Sequence, residues 1–250
     1  MTHQSRALGR RVPPDFNHLD KWPLSSAQAV ALAPTPVAIG VNWYSGFDNP
    51  VQDSAGRWWI GRGSLGRIRG GHCVALKQRY AVDTTGWYDF YNQGSEGACV
   101  GFGCSRVMSL MNRKRYFARW LWDRAKEIDP WDDTNPGDAE GTLVRSALDI
   151  LKKRGHVPWK TAYEQWNTDG EGADASPRAG LKPVVSEGIS AYRWVQSMDD
   201  LAEVLGYQGV GYVDIVNSWG RSYPHLVRMP LEVVERLWRE DGEMGVVVDR

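Results

Sequence analysis

The stretch Asn92-Gln93-Gly94-Ser95-Glu96-Gly97-Ala98-Cys99-Val100-Gly101-Phe102-Gly103 holds the residues best suited to chemistry. Val107, Met108 and Met111 continue it at helical spacing, so a helix is expected to begin near Cys99 and run toward Asn112. A thiol at the start of a helix sits in the positive end of the helix dipole, which favours the nucleophilic thiolate. The Gly-containing turn ahead of it lets a substrate approach the backbone closely. Gln93, six residues upstream, is spaced to lend an amide N–H to a developing oxyanion beside the Cys99 backbone N–H. Glu96, three residues before the thiol, opposes its ionisation if the carboxylate points the same way.

This segment resembles the nucleophile motif of the papain-like cysteine peptidases, where Gln, Gly, a small residue and Cys stand at this spacing. Two further blocks are similar to the same family. Gly70-Gly71-His72-Cys73-Val74-Ala75-Leu76 resembles its His-bearing strand, and Asn217-Ser218-Trp219-Gly220 resembles its Asn-bearing segment. The resemblance implies an α+β, papain-like two-lobe fold, with a helical lobe bearing Cys99 and a β-rich, barrel-like lobe bearing His72 and Asn217. It implies that Cys99 attacks an amide carbonyl, with His72 as its proton partner in a thiolate–imidazolium pair. Asn217 would orient the imidazole, Trp219 would shield that hydrogen bond from water, and Gln93 with the Cys99 N–H would hold the oxyanion. A peptide or protein substrate is implied, and no metal or organic cofactor.

The order of the blocks departs from the family, whose chains run Cys, His, Asn. Here His72 precedes Cys99 by 27 residues and Asn217 follows it by 118. Moving residues 36–80 to the Gly206–Gly211 junction restores the usual order, so a circularly permuted fold is expected. The twelve residues 81–92 extend up to ~40 Å, enough to carry the chain from the His strand to the Cys helix. Glu96 stands where secreted relatives carry a disulfide Cys, and Val100 replaces an aromatic residue.

The elements that must position these residues are legible in outline. Residues 1–36 read as a proline-rich N-terminal arm, and 37–250 as a single catalytic domain. Within it, 37–80 is the His-bearing β segment, 81–167 the Cys-bearing helical lobe, 168–183 a mobile loop, and 184–250 the Asn-bearing β segment. Strands are expected at 37–43, 57–60, at 72–78 after a Gly70-Gly71 break, at 212–216 and at 244–248. Helices are expected at 116–127, at 142–154 with Thr142 as N-cap and Gly155 as stop, after Ser197, and from Pro230.

The remaining candidates are weaker. Cys73 and Cys104 read as core residues, and the three Cys lack the paired spacing of a zinc site. Gly61-Arg62-Gly63-Ser64-Leu65-Gly66 spells a dinucleotide-binding pattern, but a strand rather than a helix follows it. The acidic run 129–140 lacks the order of a calcium loop. His3, His18, His156 and His225 show no partners in the sequence. Thirty basic residues balance thirty acidic ones, which argues against a nucleic-acid partner. No apolar run approaches the ~20 residues of a membrane span, and Met1–Ser5 begin no signal peptide. The expected setting is the cytoplasm or a phage particle, where the arm would contact other virion or assembly proteins. Two alternatives stand beside a general peptidase: a peptidoglycan endopeptidase of permuted papain-like type, and a catalytically silent structural or assembly module, for which the 13 Trp and the arm speak.

Overall fold

The computed structural model describes residues 35–77, 90–131, 140–166, 180–206 and 211–249. In chain order the strands are β1 (Val37–Tyr44), β2 (Val51–Gln52), β3 (Trp58–Trp59) and β4 (Ile68–Lys77). Four helices follow: α1 (Cys99–Asn112), α2 (Ala118–Lys126), α3 (Val144–Arg154) and α4 (Trp159–Trp166). The chain continues as β5 (Ile189–Trp194), α5 (Met198–Val204), β6 (Tyr212–Val216), β7 (Leu226–Pro230), α6 (Leu231–Arg239) and β8 (Glu243–Asp249). The strands form one sheet of eight in the order β2-β3-β7-β6-β4-β1-β8-β5. This is an α+β architecture, with strands at both ends of the described chain and helices between.

Alternation along the central strands sorts side chains to two faces. Val37, Ile39 and Val41 of β1 and Val74 and Leu76 of β4 join α5 and α6 in one apolar cluster. Ala38 of β1 and Cys73 and Ala75 of β4 face α1, α2 and α3 in another. The residues on the helical face are small, and α1 uses that. A Cβ on Gly103 would stand 2.6 Å from the Cys73 sulfur, and one on Gly101 would stand 2.6 Å from the Cβ of Trp122. The two glycines therefore let α1 sit tightly between β4 and α2, which fixes the height of Cys99 against the sheet.

Several local expectations match. Helix α1 spans Cys99–Asn112, Gly155 ends α3 with φ 83°, and the Ser197 hydroxyl accepts the Asp200 N–H at the start of α5. Others need correction. Gly70 and Gly71 do not break a strand: they lie inside β4, opposite Trp43 and Asn42 at an irregularity in register. Gly70 takes φ 151°, which spares a side chain there. Thr142 is not the cap of α3, since the N-cap position falls on Leu143, and the buried Thr142 hydroxyl has no partner among the described residues. Strands β2, β5 and β7 and helix α4 were not anticipated. The arm, apart from Thr35 and Pro36, lies outside the described residues, as do most of the 168–183 loop and residues 132–139 of the acidic run. Among the described residues no helix is long and apolar enough to cross a membrane.

Between α3 and α4 lies His156, fully buried and stacked on Tyr116 at 4.7 Å. The Val157 N–H donates to its Nδ1 at 2.9 Å, so Nε2 carries the proton and donates to the Ser105 hydroxyl at 2.8 Å. Burial holds His156 neutral, with a pKa pulled down to about 3. The unfolded chain therefore takes up this proton first, and stability should fall as pH drops from about 6.5 toward 3, by at most about 1.4 kcal/mol per pH unit. Replacing His156 by Gln, which keeps a donor but does not titrate, should flatten that slope in urea-unfolding measurements between pH 6 and 4. An unchanged slope would assign acid sensitivity to other groups.

Candidate active site

Two pairings bring the three sequence blocks together. Strand β4 pairs antiparallel with β6 through Ala75↔Val216, so Asn217 emerges beside the His72 end of β4. The segment ahead of α1 then docks on the residues after Asn217. The Gln93 N–H donates to the Ser218 carbonyl at 3.0 Å and the Gly220 N–H to the Tyr91 carbonyl at 2.9 Å. Gly220 has φ 67°, and a Cβ there would meet the Asn92 side chain at 3.1 Å, so this contact requires glycine.

His72 Nε2 lies 2.8 Å from Asn217 Oδ1. The same oxygen accepts the Ser218 backbone N–H at 2.7 Å, which fixes the orientation of the amide. Nε2 must then be the donor, and Nδ1 is left with its lone pair as the basic nitrogen. Both residues are buried. The imidazole is enclosed by two indoles: Trp43 at 4.7 Å and Trp219 at 5.0 Å, themselves 5.2 Å apart. The Trp43 Nε1–H donates to Asp48 at 3.0 Å, and Asp48 also pairs with Arg69 of β4. Tyr223 packs on Trp219 at 5.0 Å and donates to the Phe47 carbonyl.

Cys99 is the first residue of α1 and packs on the helical core. Cys99 is only half-buried, but the packing around it opposes the helix dipole and pushes the thiol up to about 11. Burial outweighs the Asn217 bond at His72 and pulls the imidazole down to about 4. Both effects favour the neutral thiol and the neutral imidazole, and among the described residues the two side chains share no hydrogen bond. Cys73 and Cys104 are buried on the core side of Cys99, as the alternation of β4 and the turn of α1 require.

Gln93 is buried, and its Nε2 donates to the Glu96 carbonyl at 3.1 Å, leaving the amide's other N–H for a second acceptor. Glu96 does not stand unpaired beneath the thiol. Its carboxylate meets Arg119 Nε at 2.6 Å. Among the described residues no group of three or more His, Cys, Asp or Glu is placed to hold a metal ion.

No family model and no curated protein matches the chain. Among solved structures it is similar to the crystal structure of Xylellain, a cysteine protease from Xylella fastidiosa. The TM-score is 0.46 and the identity 15%, over 68% of this chain and 85% of that one.

Reading the sequence alone missed Trp43, Asp48 and Arg119. Trp43 stood inside an apolar run that reads as strand core, and nothing in its neighbourhood marks it as a wall of a polar site. Its contribution is measurable. Trp43→Ala should let water reach the imidazole and move the His72 pKa up from about 4, by one unit or more, toward the ordinary ~6.5. NMR titration of the histidine ring protons reads this directly. A truncated buried Trp should also cost about 3–5 kcal/mol in stability.

Proposed function

We propose that this chain is a papain-like cysteine peptidase that cuts peptide bonds through an acyl-enzyme on Cys99. The observation that carries the reading is the double acceptance at Asn217 Oδ1, which assigns the His72 proton to Nε2 and leaves Nδ1 basic. As the Cys99 sulfur attacks the carbonyl carbon, Nδ1 takes the thiol proton. The carbonyl oxygen becomes an oxyanion held by the Cys99 N–H and the free N–H of Gln93. The imidazolium then gives its proton to the leaving amine as the C–N bond breaks. In the second half, Nδ1 takes a proton from water, the hydroxide attacks the thioester, and the proton returns to the departing sulfur.

A permuted chain order fits the same reading. The Thr35 N–H bonds to the Val204 carbonyl at 2.9 Å, so the start of β1 lies at the end of α5. Lys77 at the end of β4 pairs with Asp214 near the start of β6. Both junctions that a permutation has to exchange are thus close in space.

A second reading, a papain-like module without catalysis, draws on the burial that neutralises both Cys99 and His72. Site-resolved alkylation by iodoacetamide separates the two. For a peptidase, Cys99 should react at pH 6–7 at least tenfold faster than Cys73 and Cys104, and His72→Ala should remove that advantage. Hydrolysis of an unfolded protein substrate should fall about 10²–10⁴-fold in His72→Ala and vanish in Cys99→Ala. Cys99 reacting only above pH 8, equally in both proteins and without hydrolysis, would establish the silent module.

A further inference from the structure

Arg119 stands where helix physics does not want it. It is the second residue of α2, in the first turn, where the dipole disfavours a cation, and its side chain is 5% exposed. Burying a guanidinium is costly unless its donors are satisfied. Two of its three nitrogens are spent on one loop, while Nη1 finds no partner among the described residues. Nε donates to the Glu96 carboxylate at 2.6 Å and Nη2 to the Gln93 carbonyl at 3.2 Å. Within the loop, Gln93 Nε2 donates to the Glu96 carbonyl at 3.1 Å, so the two ends of the four-residue segment 93–96 are tied together and both are tied to α2. The guanidinium also lies 5.3 Å from the Phe102 ring on α1. Since Gly101 sets α2 directly against α1, Arg119 holds the Gln93 loop at a fixed offset from Cys99.

We propose that Arg119 is the positioning residue of the oxyanion site, holding the Gln93 amide in line with the Cys99 N–H while its charge neutralises Glu96. This rests on the peptidase reading. It predicts a defect confined to steps that develop an oxyanion. Arg119→Met should lower kcat about 100-fold or more, as loss of an oxyanion donor does, with KM within about threefold. A peptide aldehyde, whose thiol adduct is tetrahedral with an oxygen in that site, should bind about 100-fold more weakly. Alkylation of Cys99 by iodoacetamide, a displacement that forms no oxyanion, should stay within about threefold of wild type. Arg119→Lys keeps the charge but not both bonds, and should show the same split with a smaller loss, which carries the test if Arg119→Met does not fold.

Equal losses in alkylation and hydrolysis would make Arg119 a structural residue and overturn the proposal. So would wild-type kcat and aldehyde affinity in a folded Arg119→Met or in Arg119→Lys. Absence of hydrolysis and of aldehyde binding in the wild-type protein itself would instead remove the peptidase reading on which the proposal stands.

Discussion

Helix α1 lies against β4 with no room for a side chain at Gly103, where a Cβ would stand 2.6 Å from the Cys73 sulfur. Everything at the site follows from that closeness. Ala38, Cys73 and Ala75 keep the facing side of the sheet shallow, and Gly101 lets α2 close on the opposite side of the helix. Interiors packed at crystal-like density transmit such constraints without slack. Helix α1 is therefore set against the strand that carries His72. Overpacking by one methyl group at Gly103 costs about 1–3 kcal/mol in a typical core, and here it would also push α1, with Cys99 at its start, off the strand.

The polar side of the site depends on a second layer of contacts that surround rather than touch the reacting atoms. Asn217 orients the imidazole because Ser218 orients Asn217. Trp43 encloses the imidazole because Asp48 holds the indole N–H, and Arg69, three residues before His72 on β4, meets the other side of that carboxylate. Arg119 does for the Gln93 loop what Asp48 does for Trp43. In each case a charged group at the margin is paired with the element it braces, although Arg119 Nη1 and Gln93 Oε1 find no partner among the described residues.

Much of this was legible in residue types and spacing, and the misses share a cause. The start of α1, the alternation of β1 and β4, the Ser197 cap and the Gly155 stop are local and follow from propensity and period. The three chemical blocks were legible because each concentrates unusual residue types in a few positions. What escaped was set by contacts distant in sequence. Arg119 lies 23 residues from Glu96, and an arginine in an amphipathic helix reads as surface. Gly70 and Gly71 suggested a break because isolated glycines usually weaken strands. In the sheet they sit opposite Trp43 and Asn42, where β1 and β4 lose regular register. The dipole argument for Cys99 weighed one helix end alone, whereas the packing around the sulfur, a property of the whole fold, raises the thiol.

Both groups are shifted toward their neutral forms, the thiol up and the imidazole down. Under the proposed peptidase reading, the proton then moves as the carbonyl is attacked rather than before. The charge that persists through attack then lies on the carbonyl oxygen, and the groups that stabilise it must already be in place. This gives the Gln93 loop, and the guanidinium that braces it, more of the barrier to lower than they would carry beside a preformed thiolate. Gln93 and His72 themselves are buried, and there a low dielectric makes each hydrogen bond stronger.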